Sequence, residues 1–319
     1  MGRGLRDFAF DLLRTICTLW IVGCWHLLDY LPNDAHFEIG DSITTTALAA
    51  FIFMSGFFLQ KYTFVGLNDC YSFYKKRFLR FYILYTLSIV TLIVGGVIVG
   101  SSWFASKEQI MLSFLGLSTI FTPSPATIWF MSMLMFFYIL TPLIVYNRNM
   151  MRSFSIATTI YLIFIVLHNV VLLDYRMLIY FPIYMLGLYT SKQRIINQNI
   201  CLLFLVVVWL IFALANVDYI FVEVIMSIVG VWVLINFVVY ISKYLEKVSF
   251  IVKIVNALSY LSLCLYLFHR QIFEVLRQLC NQLDITITYP ILFCMLCIAI
   301  VASFTIQKSY DMFCKLLRV

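Results

Sequence analysis

Residues 10–31 read FDLLRTICTLWIVGCWHLLDYL, an apolar run that is long enough to cross a bilayer. The run nevertheless carries Asp11, Arg14 and His26 inside it or at its margin. A charged or titratable side chain at membrane depth usually faces a protein interior or a polar cavity, because its transfer into lipid costs free energy. The stretch therefore predicts a polar pathway through a membrane-embedded protein.

The composition of the whole chain agrees with this interpretation. Of its 319 residues, 63% are hydrophobic and 12% are charged, and the mean hydropathy is +0.98. A soluble domain cannot bury that much apolar surface. We therefore expect an all-α, polytopic integral membrane helical bundle, with residues 1–319 forming a single domain. The net charge of +7 is typical of basic cytoplasmic loops, so a nucleic-acid partner is not expected.

Windows of about 20 apolar residues divide the chain into candidate membrane spans. Ten of them lie near residues 10–31, 42–62, 79–100, 126–147, 153–173, 176–190, 200–216, 219–241, 257–279 and 287–307. The first run contains Arg14 and lacks a small-residue cleavage pattern, so we interpret it as an uncleaved span rather than a signal peptide. Segment 101–125 could lie flat at the outer interface, either as a shelf for an acceptor substrate or as a simple connector.

The basic residues predict the orientation of the bundle. Seventeen lysines and arginines fall in the N-terminus, the C-terminus and the alternate loops between them, whereas the opposite set holds Lys107, Arg176 and Arg277. Because cytoplasmic loops are enriched in lysine and arginine, we expect both termini in the cytoplasm. The first outer loop, LPNDAHFEIGD, is acidic and has no lysine or arginine.

The nine cysteines do not form a ligand pattern. Most lie in apolar runs, and the one CxxC pair, Cys294 and Cys297, has no second pair near it. Thiols that face lipid or the protein core explain this distribution better than a metal or redox centre. We expect no metal.

A basic cluster precedes the third span in YSFYKKRFLRFYILY. If this segment is helical, Arg77 and Arg80 lie three residues apart and project from one side. Two guanidinium groups can bind phosphate oxygens bidentately. A cluster of this kind also serves as a topology signal or as a contact to lipid headgroups, and that alternative stays open.

His26 lies in the outer half of the first span, about 18 Å along the helix axis from Arg14. An imidazole changes charge near neutral pH, so it could take a proton from a hydroxyl nucleophile. The alternative role for a histidine at this depth is a hydrogen bond between helices. His269 is open to the same two interpretations, and we expect Arg270 to pair with Glu274 one turn later.

Five motifs of the chain resemble those of the acyltransferase-3 family, bacterial membrane O-acyltransferases of cell-surface glycans. They are DLLR followed by a histidine in the first span, FMSGFFL in the second, RFLR before the third, IWFMSMLMFFYILTPLI in the fourth and LSYLSLCLYLFHR in the ninth. The resemblance covers the whole chain, in the order of the family.

The resemblance implies that an acyl-CoA binds from the cytoplasm and that its acyl group reaches an acceptor on the other side of the membrane. Carried over to this sequence, it makes Arg14, Arg77 and Arg80 the residues that bind acyl-CoA, and His26 the catalytic histidine. Acetyl-CoA or another acyl-CoA is then the donor substrate, and no metal is involved. The partners are a cell-surface polysaccharide or lipid-linked sugar and the lipid bilayer.

The chain departs from the family pattern at two places. Eleven residues, rather than the family's usual ten, separate Arg14 from His26. On a regular helix this twelve-residue step turns the two side chains about 120° apart, so a one-residue bulge near Gly23 would be needed to restore their common facing. Met133 and Leu134 also replace a glutamate pair that many relatives carry after the position of Ser132, so the acid that would orient His26 is not identified.

We therefore expect a multi-pass enzyme of a bacterial plasma membrane, in the first instance an acetyl-CoA-dependent O-acetyltransferase that modifies an extracytoplasmic glycan. A transporter or flippase for a lipid-linked glycan is the alternative, and it would show broken helices or inverted repeats. A non-catalytic scaffold of a glycan-export complex is a third possibility. In a scaffold, the arginine and histidine positions would be freely replaceable.

Overall fold

A computed structural model gives the architecture. It describes residues 5–31, 36–37, 39–100, 103–121, 125–146, 149–170, 173–190, 207, 209 and 219–316. No β-strand is found within these ranges, and helices make up most of them. Helices satisfy their own backbone hydrogen bonds, which is the condition for crossing lipid. The prediction of an all-α polytopic membrane protein is confirmed.

The helices follow the apolar runs of the sequence. In chain order they are α1 (Leu5–Trp20), a π turn (Ile21–Trp25), α2 (His26–Leu28), α3 (Ile39–Phe57), α4 (Leu67–Val99), α5 (Lys107–Phe114), α6 (Ser118–Phe121), α7 (Ile128–Val145), α8 (Met150–Val170), α9 (Arg176–Tyr189), α10 (Ile220–Leu245), α11 (Ser249–Gln282) and α12 (Tyr289–Leu316).

Eight helices among the described residues are long and apolar enough to cross a membrane. They match eight of the ten predicted spans. The sixth predicted span corresponds to α9, which is a helix of 14 residues. The seventh, near 200–216, lies almost entirely outside the described residues. The number of ten spans and the cytoplasmic termini therefore stay predictions.

Local sequence explains where the long helix α4 begins and ends. The carboxylate of Asp69 accepts hydrogen bonds from the main-chain N–H groups of Val65 (3.0 Å) and Gly66 (3.1 Å), which caps the first turn. The helix stops at Gly100, whose φ of +66° is the left-handed conformation that ends many helices.

The chain divides into two compact units, each built from two separate segments. The first unit contains Met1–Gln60 and Pro182–Leu263, and the second contains Lys61–Phe181 and Cys264–Val319. The assignment of a single domain to residues 1–319 stays a prediction.

In the first unit, α1 packs against α3 and α10. The Phe10 ring lies 4.9 Å from that of Phe57 and 5.2 Å from that of Phe58. Further along the same pair of helices, Trp20 Nε1 donates to Thr44 Oγ1 at 3.0 Å. These contacts hold the first helix, with its polar side chains, in a fixed position inside the unit.

The glycine of the FMSGFFL motif lets two helices of the same unit approach closely. A Cβ atom on Gly56 would collide with the main-chain oxygen of Tyr184 on α9, and one on Gly187 would collide with that of Phe53 on α3. Gln60 then donates to the carbonyl oxygens of Gly187 (2.9 Å) and Thr190 at the end of α9. The motif is thus a packing element between α3 and α9.

Candidate functional site

The first helix contains the bulge that the Arg14 to His26 spacing requires. Ile21–Trp25, which includes Gly23, forms a π turn, and the main-chain N–H of His26 donates to the carbonyl of Ile21, five residues back. A π turn accommodates one extra residue within a helix. The twelve-residue step then gives the facing of an eleven-residue step, which leaves the two positions about 20° apart. The predicted bulge is confirmed.

Arg14 belongs to a three-residue network between α1 and α11. Its Nη1 donates to Ser259 Oγ at 3.1 Å, and the Ser259 hydroxyl donates to Asp11 Oδ1 at 2.7 Å. Arg14 Nη1 and Asp11 Oδ1 are 3.5 Å apart. The arginine side chain stays 32% exposed, so its charge is partly neutralised without being enclosed by this network.

His26 is half-buried and begins α2, directly after the π turn. Three residues on, Asp29 lies on the same side of the helix. Its Oδ1 is 3.1 Å from Nε2 of His36, which also lies 3.3 Å from the carbonyl oxygen of Trp25. Because a carbonyl oxygen only accepts, Nε2 of His36 is the donor. Asp29 and His36, which follow His26 in the chain, thus form a histidine–carboxylate pair that sequence reasoning did not identify.

Arg77 lies in the second unit, on α4. Its guanidinium carbon is 5.6 Å from the ring centre of Tyr62 and 5.8 Å from that of Tyr138, distances at which a cation is attracted by an aromatic ring. The backbone is helical at Arg77 and Arg80 as predicted, and the side chain of Arg80 lies outside what the structure describes. Lys75 and Lys76 of the same cluster are exposed.

The surroundings of His269 favour a role in holding the structure together. It is fully buried in α11, and its Nδ1 donates to the carbonyl oxygens of Tyr266 (2.8 Å) and Leu265 (3.1 Å). Glu274, for which we predicted a pairing with Arg270, is bound by Arg277: both of its carboxylate oxygens accept from that arginine, with two of the contacts at 3.1 Å from Nε. Arg277 lies three residues later, so it reaches the same face of the helix.

Ser132, next to the missing glutamate pair, has a packing role. It is fully buried, and its hydroxyl donates at 2.6 Å to the carbonyl of Gly116 in the segment between α5 and α6. Met133 and Leu134 are buried as well. In the described residues, segment 101–125 thus contains two short helices, and the segment is joined to α7 by the hydrogen bond from Ser132 to Gly116.

Sequence reasoning used Arg176 only to predict the orientation of the bundle and missed the contacts that this arginine makes. Its Nε donates to Asp174 Oδ1 at 2.8 Å and its Nη2 donates to Oδ2 at 2.6 Å, so the arginine binds the carboxylate bidentately. The guanidinium carbon also lies 4.0 Å from the ring centre of Trp129. The available signal was the Asp-x-Arg spacing just before the apolar run of α9.

No group of three or more His, Cys, Asp or Glu side chains within the described ranges could hold a metal ion. The site residues described above offer a histidine base, hydroxyl groups and arginine cations. Such a set can bind an anionic group and move a proton.

Comparison with known proteins identifies the class. Residues 7–307 match the acyltransferase-3 family model, which is described as an acyltransferase domain. The search of curated proteins and the search of solved structures found no match. Since the family model covers nearly the whole chain, this protein belongs to the acyltransferase-3 family and is a multi-pass membrane acyltransferase.

Proposed function

We propose that the protein transfers an acyl group, in the first instance acetyl, from cytoplasmic acyl-CoA to a hydroxyl group of an extracytoplasmic glycan or its lipid-linked precursor. The observation that carries the proposal is the π turn before His26, because it gives Arg14 and His26 a common facing on one helix. That arrangement suits a reaction in which one residue binds an anionic donor and another accepts a proton.

In the proposed reaction, His26 is the general base. It takes the proton of the acceptor hydroxyl as the oxygen attacks the thioester carbonyl carbon. The carbon–sulfur bond then breaks, and the protonated imidazole returns the proton to the departing thiolate. The products are the acyl ester and free CoA, so no further reactant is needed.

The arginines bind the donor in this scheme. The phosphates of CoA are polyanionic, and Arg77 and Arg80 offer guanidinium groups that fit phosphate oxygens. The aromatic rings of Tyr62 and Tyr138 near Arg77 support this role, because they hold the guanidinium without neutralising its charge. Arg14 acts on the same donor.

The loop charges supply the orientation of the reaction. Seventeen basic residues lie on the side that we assign to the cytoplasm. The donor then enters from the side of Arg77, and the acceptor comes from the side at which the first helix ends. The bacterial plasma membrane is the membrane in which a cell-surface glycan would meet such an enzyme.

Labelled acetyl-CoA supplied to inverted membrane vesicles tests this function. Label should appear on the surface glycan with the wild-type protein, and His26→Ala should lower the transfer by at least ~100-fold at equal protein accumulation, because a positioned base contributes that much. His168→Ala is the matched control, since that histidine lies on α8 and forms a local hydrogen bond with the Leu173 carbonyl at 2.8 Å. Normal transfer by His26→Ala would remove His26 from the chemistry.

The same assay separates the enzyme from a flippase. A flippase would leave the thioester intact and would move unlabelled glycan across the membrane in the absence of acetyl-CoA. Mass spectrometry of the surface glycan, with and without the protein, identifies the acyl group and the sugar that carries it.

A further inference from the structure

A buried hydroxyl of α11 connects the two charged residues at the start of the first span. Ser259 is 5% exposed. Its single O–H donates to Asp11 Oδ1 at 2.7 Å, so a lone pair on its oxygen accepts the 3.1 Å bond from Arg14 Nη1. The direction of the relay is thereby fixed, from the guanidinium through the hydroxyl to the carboxylate.

A second hydrogen bond fixes the register of the same two helices. Thr15 Oγ1 lies 2.8 Å from the carbonyl oxygen of Asp11 in its own helix and 3.2 Å from that of Val255 on α11, so its single hydroxyl proton is shared between the two acceptors. Thr15 lies four residues after Asp11, and Ser259 lies four residues after Val255. Contacts one turn apart on both helices prevent either helix from rotating about its axis. Ser259 is therefore held at a constant place against Arg14.

The way in which Asp11 engages Arg14 differs from the other arginine–aspartate pair. Arg176 is bound directly by both oxygens of Asp174, at 2.8 and 2.6 Å. Arg14 Nη1 is 3.5 Å from Asp11 Oδ1, which exceeds the usual range for a hydrogen bond of this kind. Asp11 thus forms a longer ion pair with Arg14, and the short hydrogen bonds between the two residues run through Ser259.

An oriented cation suits an anionic ligand. The guanidinium is planar and rigid, so fixing Nη1 fixes the direction of its other nitrogens. Joining α1 to α11 does not require a cation, because the Asp11–Ser259 and Thr15–Val255 bonds already connect the two helices. The presence of Arg14 in the network, with its side chain 32% exposed, indicates a role other than joining the two helices.

We propose that Ser259 and Asp11 are positioning residues that aim Arg14 at the acyl-CoA donor. This inference rests on the proposed function, since it assigns the donor as the ligand of Arg14. Ser259 bonds both partners of the 3.5 Å ion pair and so sets the direction of the guanidinium. Without that hydroxyl, the ion pair can shorten into a two-bond contact like that of Arg176 with Asp174, which turns the guanidinium away from the donor.

Steady-state kinetics of Ser259→Ala tests the inference. We expect the KM for acyl-CoA to rise roughly tenfold, the size of effect that follows the loss of a hydrogen bond to a charged group, while kcat and the KM for the acceptor stay within about twofold. Ser259→Thr, which restores a hydroxyl, should recover most of the donor affinity. Ser262→Ala is the matched control, because Ser262 is also buried, at 6% exposed, and its hydroxyl donates to the main-chain carbonyl of Ser259 at 2.8 Å.

A double variant distinguishes aiming from simple packing. If a shortened ion pair is the cause, adding Asp11→Asn to Ser259→Ala removes the attracting charge and should lower the KM for acyl-CoA again. If the network only joins helices, the double variant should be worse than the single one, with kcat and thermal stability in detergent falling together.

The outcomes separate this inference from the function on which it rests. Wild-type membranes that transfer no label from acyl-CoA would overturn the proposed function. Wild-type membranes that do transfer label, together with an unchanged KM for acyl-CoA in an abundant Ser259→Ala protein, would overturn the inference alone.

Discussion

The main-chain N–H of His26 donates a hydrogen bond to the carbonyl oxygen of Ile21. This five-residue step is the π pattern, and it adds one residue to the helix without changing the facing of the turns on either side. The twelve-residue separation of Arg14 and His26 is thus compatible with a common facing. A departure from the family's spacing is compensated by the backbone.

Changing the length of this turn tests the compensation. Deleting Gly23 should convert the π turn into regular α-helix and keep His26 on the side of Arg14, so acyl transfer should remain within about tenfold of wild type. Inserting an alanine after Gly23 should instead turn His26 by about 100° relative to Arg14 and reduce transfer at least ~100-fold.

Transfer of label in membranes, normalised to protein accumulation, measures both variants. A deletion variant as inactive as the insertion variant would show that the π turn has a function other than restoring the facing. An active insertion variant would show that the facing of His26 is unimportant.

The fold could be predicted because few backbone structures are stable in a lipid bilayer. In a bilayer the backbone must satisfy its own hydrogen bonds, so each apolar run of sufficient length becomes a helix. The runs around Ile39–Phe57 and Ile128–Val145 were found in this way. The bulge near Gly23 was one of two explanations that the resemblance offered, because the family's gap leaves the two side chains nearly aligned on a regular helix and the longer gap here does not.

The partners of the charged side chains could not be predicted in the same way. Ser259 lies 245 residues from Arg14, and no local pattern shows that the two helices meet there. For Glu274, helical spacing allows both Arg270 at four residues before and Arg277 at three residues after. Spacing alone does not choose between them, and only the structure shows that Arg277 contacts the carboxylate.

Substitutions in the basic cluster on α4 can distinguish a role in binding the donor from a role in setting the membrane topology. Replacing Arg77 and Arg80 together by alanine should raise the KM for acyl-CoA at least ~10-fold, because two guanidinium contacts to phosphate are lost. Replacing Lys75 and Lys76 together removes the same charge from two exposed side chains. We expect this control to change the KM by no more than about threefold.

Initial rates at varied acyl-CoA concentration, with both proteins at equal abundance in the membrane, give the two KM values. Equal effects of the two double variants would mean that the cluster acts through its net charge, as a topology or lipid-headgroup signal. An unchanged KM in the arginine variant would exclude the assigned phosphate contact.

The close approach of α3 and α9 predicts a stability defect at the glycine of FMSGFFL. A Cβ on Gly56 would meet the main-chain oxygen of Tyr184 and, at 3.0 Å, the main-chain nitrogen of Leu188. Backbone atoms cannot rotate away as a side chain can, so Gly56→Ala must push the helices apart and should lower the free energy of unfolding by about 1–3 kcal/mol, as overpacking does.

The matched control is Gly95→Ala, because a Cβ on Gly95 of α4 meets nothing within 4 Å. There, replacing a glycine inside a helix should stabilise the protein by about 0.5–1 kcal/mol. Thermal unfolding in detergent should thus shift in opposite directions for the two variants, and a Gly56→Ala protein as stable as wild type would contradict the close helix contact.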